Sequence, residues 1–137
     1  MTAPRNLLLA YVDGSDLHEI ADQLETRFDN FVARRAWKAV EVSVVNMRQP
    51  QESPGDLPQW DLGVNFTLPN KREEDEIWKT DVHATVDFLS ALNEEFRRDF
   101  VIAVHDRIRG FNEDVAYVGS GPPDLENIYF MIDAHRA

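Results

Sequence analysis

Residues 11–20 read YVDGSDLHEI, which sets Asp13, Asp16, His18 and Glu19 around Gly14 directly after an apolar run. Carboxylates and an imidazole this close can ligate a divalent metal or pass a proton as general acid and base. His18 and Asp22 stand one helical turn apart, a spacing compatible with a metal. The segment HEIAD nevertheless lacks the second histidine of a zinc protease motif, so no metal site is expected. Phosphoryl-transfer enzymes hold a nucleophilic or magnesium-binding carboxylate at the end of a first strand, where Asp13 falls. They also need further acids and a lysine at later strand ends, and this chain offers Asp106 but no lysine after Lys79. Asp13 is read instead as organising its turn through bonds from side chain to backbone.

The other motifs are poorer in chemistry. GSGPPD, residues 119–124, lacks the Gly-Lys-Ser/Thr ending of a phosphate-binding loop and the spacing of a dinucleotide fingerprint, so it is a connecting turn. None of Ser15, Ser43, Ser53, Ser90 and Ser120 sits in a nucleophile-elbow context, and neither His83 nor His105 pairs with them by position. His105 alternates with the apolar positions of its strand and is placed on the outer side of the sheet. No catalytic residue and no cofactor are expected, and the chain reads as a non-enzyme.

Bulk composition points the same way. Fourteen Lys and Arg against 25 Asp and Glu give a net charge of −11, which repels phosphate backbones and anionic membranes. Nucleic-acid and membrane partners are therefore excluded, whereas a basic protein would be attracted and its association accelerated. The absence of cysteine removes disulfides, thiolate metal sites and a cysteine nucleophile, and fits a reducing compartment. The amino-terminal apolar run is too short for a signal peptide or membrane span, so a cytoplasmic location is expected. At 137 residues, 1–137 is taken as a single domain, able to bury roughly 68% of its unfolded surface.

Hydrophobic spacing supplies the elements that must position these residues. Leu7 to Val12 reads as a buried strand ending at Asp13-Gly14. Leu17, Ile20, Ala21, Leu24, Phe28, Phe31 and Val32 recur at three- and four-residue spacings and define a helix that Ser15 or Asp16 could cap and that Arg34 and Arg35 close. At 100° per residue, His18, Asp22, Glu25 and Asp29 gather at roughly 180° to 240° from Asp16, on the face opposite the apolar stripe. Ala39 to Met47 alternates as a second strand, with Val40, Val42 and Val44 on one face. Residues 48–59, with three prolines and a glycine, read as an exposed loop, and 61–68 alternate as a third strand with Leu62, Val64, Phe66 and Leu68 inward. After the charged loop 70–76, Thr80 or Asp81 could cap a second helix to about Arg98, its stripe formed by Val82, Val86, Leu89, Leu92 and Phe96. Residues 100–106 and 113–119 read as two further strands joined through Gly110. Asp124 could cap a last short helix with Leu125, Ile128 and Ile132, although IYFMI also suits a strand, so segment 124–135 stays open between the two.

The order βαββαβ, followed by a strand and a terminal element, predicts an α+β two-layer sandwich. It has an antiparallel sheet of about five strands with two helices on one face, and ferredoxin-like topology leads. That topology hosts many activities, so function must come from surfaces. The acidic face of the first helix, Trp60 at the end of the 48–60 loop and Phe111 in a hairpin turn are the recognition features, although Trp37, Trp60 and Trp78 also suit the edge of a core.

As a small, cysteine-free, acidic α/β chain without a catalytic motif, the protein resembles the immunity proteins of bacterial polymorphic toxin systems. That resemblance implies a cytoplasmic inhibitor that occludes the active or substrate-binding surface of a cognate toxin. Asp16, His18, Asp22, Glu25 and Asp29 would be the contacts and Trp60 the apolar anchor. The alternative is a ligand-sensing or regulatory domain that forms a homodimer through its sheet.

Overall fold

The computed structural model describes residues 4–14, 16–48, 60–71 and 76–137. Its elements are β1 (Asn6–Val12), α1 (Ala21–Arg34), β2 (Val42–Arg48), β3 (Trp60–Leu68), α2 (Trp78–Phe96), β4 (Phe100–Asp106), β5 (Phe111–Val118) and α3 (Leu125–His135). The strands form one antiparallel sheet in the order β2-β3-β1-β4-β5. Alternation decides which way each strand faces. Leu8, Ala10 and Val12 join Leu62, Val64, Phe66 and Leu68, and Phe100 and Ile102, in one fully buried core with Leu24 and Phe28 of α1 and Val82, Val86 and Leu89 of α2. No helix among the described residues is long and apolar enough to cross a membrane.

The layer of helices differs from the expected pair. Segment 124–135 is helical, its first turn capped by Asp124 Oδ1 accepting from the Asn127 amide at 3.1 Å, and Ile128 and Ile132 enter the same core. The aromatic and aliphatic residues of IYFMI therefore serve a helix stripe, and three helices cover the sheet.

The expected caps of the first two helices are also replaced. Ile20 precedes α1 without a side-chain cap, because the carbonyl of buried Leu17 accepts from the amides of Ile20 and Ala21 at 3.0 and 2.8 Å. Asp16 therefore does not cap the helix, and Ser15 lies outside the described residues. Likewise α2 begins at Trp78, a turn ahead of Asp81, and neither Thr80 nor Asp81 caps it.

Asp81 instead reaches across to the segment between α1 and β2. Its side chain is 1% exposed and accepts from Arg35 Nη2 at 2.9 Å, from the Ala39 amide at 2.8 Å and from the Lys38 amide at 3.2 Å. Thr67 Oγ1 takes the next two amides, Val40 at 3.0 Å and Glu41 at 3.2 Å. These donors are spent on side chains, so the strand expected from Ala39 starts at Val42, and Val40 leaves the Val42 and Val44 face to stand 81% exposed. The expected loop at 48–59 yields Arg48 to β2, its remainder lying outside the described residues, as does 72–75 of the charged loop.

The turn after β4 is held by one carboxylate. Asp106 accepts from Arg5 Nε at 3.0 Å and Nη2 at 2.8 Å, and from the amides of Ile108 and Arg109 at 2.9 and 3.1 Å. Gly110 completes the turn at φ +74°, the left-handed region open to glycine without strain.

Two measurements test these anchors. Replacing a buried, paired carboxylate strands its donors, so Asp81→Ala lowers unfolding free energy by about 3–5 kcal/mol in urea titrations; a loss within experimental error removes Asp81 as the anchor. The Arg5 side chain holds Asp106 well below its ordinary 3.8, with the two turn amides adding to it against the opposing effect of burial. A depressed folded-state pKa contributes stability that is present above the unfolded value and lost as pH falls through the folded one. Asp106→Asn is therefore less stable than the parent at neutral pH, and the gap narrows below about pH 4. A gap that stays constant into acid contradicts this assignment.

Candidate functional site

The residues of the acidic helix face are not all equivalent once folded. Asp16, His18, Asp22 and Asp29 are exposed, whereas Glu25 is half-buried and turns toward the edge strand β2. Even-numbered β2 residues share the side of the sheet that faces the helices, so Asn46 and Arg48 continue the line of Val42 and Val44 toward α1. Trp60 opens β3 directly opposite Arg48, on the same side, and packs against the edge of the core. It is therefore part of the sheet rather than the tip of a loop.

These placements bring five side chains together. Asn46 Nδ2 donates to Glu25 Oε2, and Trp60 Nε1 donates to Asn46 Oδ1 at 2.7 Å. The His18 ring stands edge-on to the Trp60 ring at 5.4 Å between centroids. Arg48 lies over the Trp60 ring at 5.0 Å, and its Nη2 is 3.2 Å from His18 Nε2, which must accept because a guanidinium only donates. Glu25, His18 and Trp60 are thus joined through Asn46 and Arg48, two residues to which the sequence drew no attention. Strand parity was the signal that placed them beside α1.

Asp16, Asp22 and Asp29 stay outside this cluster. The Asp16 carbonyl accepts from Arg98 Nη2 at 2.6 Å and the Asp22 carbonyl from Thr26 Oγ1 at 3.0 Å, but these are backbone groups. Among the described residues, none of the three carboxylates makes an ion pair or hydrogen bond. Exposed charges of one sign along this helix face can attract a cationic surface, and the half-buried indole at its end can offer an apolar contact.

Proton or metal chemistry fits this arrangement poorly. The Arg48 guanidinium lies against Nε2 of His18, and among the described residues no three His, Asp or Glu side chains converge as ligands. His105 lies on the opposite, outer side of the sheet, as its alternation indicated, with Nδ1 2.6 Å from Asn112 Oδ1. Phe111 is 43% exposed at the start of β5. Trp37 packs against the edge of the core, donating Nε1–H to the Val32 carbonyl at 3.0 Å, and Trp78 is buried within the core. No family model, curated protein or solved structure matches the chain.

The cluster makes a measurable claim about Trp60. Asn46→Ala removes the acceptor of the indole N–H and the donor to Glu25, each net hydrogen bond contributing about 0.5–1.5 kcal/mol. Hydrogen exchange of the Trp60 indole N–H, followed by NMR, is faster in that variant; an unchanged rate shows that Asn46 does not hold the ring.

Proposed function

We propose that the protein is a non-enzymatic inhibitor that binds another protein, an immunity protein that neutralises a cognate bacterial toxin by covering its active or substrate-binding surface. One observation carries this reading: an indole fixed by Asn46, His18 and Arg48 lies at the end of a helix face whose exposed carboxylates, Asp16, Asp22 and Asp29, have no ion-pair partner among the described residues. An aromatic side chain held in place before binding loses little freedom on association, and surrounding charges of one sign steer a partner of the other. The net charge of −11 adds a long-range component with the same preference for a basic partner. The proposal places the work in the cytoplasm and requires no cofactor. It also treats β1 to β4 with α1 and α2 as a ferredoxin-like core to which β5 and α3 are appended.

The alternative, a regulatory domain that dimerises through its sheet, draws support from the side of the sheet that the helices leave uncovered. Self-association there must overcome repulsion between two chains of charge −11. Sedimentation distinguishes the readings, since a stable dimer favours the alternative and a monomer the inhibitor.

The direct test pairs the protein with the toxic domain encoded by the neighbouring upstream gene. A tight complex is expected, with association slowed by added salt. The triple variant Asp22→Lys, Glu25→Lys, Asp29→Lys slows association by about tenfold or more at low ionic strength, and Trp60→Ala accelerates dissociation. A complex indifferent to all four substitutions removes this surface, and the absence of any complex removes the reading.

A further inference from the structure

Because the three helices share one side of the sheet, odd-numbered positions of β1, β2, β3 and β4 face the other way. Near the middle of that face is Gly63, paired with Tyr11 on one side and Val45 on the other. A Cβ at Gly63 would lie 2.0 Å from the Ala10 carbonyl oxygen and 2.6 Å from Tyr11 Cα, so the approach of β1 excludes any side chain there. Gly63 lines a cavity of about 340 Å³ on this face, with Leu7, Leu9, Val45 and Met47 among its walls and Asp61 also lining it.

The rim carries charge without compensation. Asp114 of β5 accepts from the Tyr11 hydroxyl at 3.2 Å, and Asp61 stands on the other side in β3. Tyr11 feels both: burial first, then the Asp114 and Asp61 charges, push its phenol far above its ordinary 10.0. Neither aspartate has a lysine or arginine partner among the described residues. Met47 in the cavity wall is 60% exposed, and beyond the cavity the face continues to Tyr117, 64% exposed.

We propose that this uncovered sheet face is a second protein-docking surface, whose Gly63 cavity takes a lysine or arginine side chain of a partner protein. Such a side chain lays its methylene stem on Leu9, Val45 and Met47 and brings its cationic head to Asp61, with the Asp114 charge adding attraction from across Tyr11. The flanking apolar residues outside the cavity call for an occupant larger than a free amine, so a polypeptide that presents aliphatic residues beside the cation satisfies the whole face. A second copy of this chain does not, because it brings its own Asp61, Asp114 and net charge of −11. This inference concerns the opposite side of the sheet from the α1 cluster and does not depend on it.

Acetyl-Leu-Arg-Leu-amide serves as the probe, with acetyl-Leu-citrulline-Leu-amide and acetyl-arginine-amide as comparisons, in NMR titrations of the full chain. Saturable shifts centred on the amides of Leu9, Gly63 and Ala103 are expected for the arginine tripeptide. The citrulline peptide and the arginine amide bind at least fivefold more weakly. The double variant Asp61→Asn, Asp114→Asn weakens the tripeptide at least fivefold, while Asp22→Lys with Asp29→Lys leaves the location of the shifts unchanged. Shifts centred on α1, or affinity untouched by the Asp61 and Asp114 substitutions, overturn the proposal. Equal binding of the arginine amide assigns the cavity to a small cation and overturns the protein partner.

Discussion

A single buried carboxylate decides where one layer of this protein meets the other. Asp81 projects from α2 into the connection between α1 and β2, where the Arg35 side chain and the amides of Lys38 and Ala39 donate to it. Burying a charge is unfavourable unless donors replace its water, and here a chain turning between helix and strand supplies them. The next two amides go to Thr67 of β3, so α2, the connection and the sheet are pinned along one stretch of backbone. The start of β2, its register on β3 and the reach of Asn46 and Arg48 toward α1 all follow from where that stretch ends.

The two faces of the sheet then acquire different characters. On the helix side, leucine, valine and phenylalanine fill most of the space between layers, with Asp81 and Thr85 buried on α2, and a cluster of polar side chains gathers where α1 runs out over the β2 edge. Glu25, Asn46, Trp60, His18 and Arg48 meet there because a core cannot extend past its last strand. On the other side no helix among the described residues covers the sheet, and a cavity opens there beside Gly63, where the backbone of β1 approaches too closely for any side chain. Both recognition surfaces are thus boundary effects of a two-layer packing.

Much of the fold was legible in the residues. Period-two alternation placed Leu62, Val64, Phe66 and Leu68 inward, and three- and four-residue spacing placed Val82, Val86 and Leu89 on one helix face, because those periods are imposed by backbone geometry alone. The caps were less legible. Ser, Thr and Asp side chains can bond any nearby amide, and sequence order does not reveal that Asp81 finds better donors across the fold than in its own first turn. Strand β2 was read too long for the same reason, since the pattern of Ala39 and Val40 suits a strand whose hydrogen bonds have gone elsewhere.

The acidic charge, the lack of thiol chemistry and the angular gathering of His18, Asp22, Glu25 and Asp29 are properties of the chain itself, fixed by composition and helical pitch. Which of those side chains act together is not. Glu25 and His18 were drawn to Asn46, Arg48 and Trp60 by strand pairing between residues distant in sequence, leaving Asp16, Asp22 and Asp29 exposed and without an ion-pair partner among the described residues. Gly63 is equally silent in a strand pattern, and its close approach to β1 and its place in the cavity wall exist only in the assembled sheet. Periodicity is local and can be read along the chain; the partners of a polar side chain are set by long-range packing, which only the tertiary structure decides.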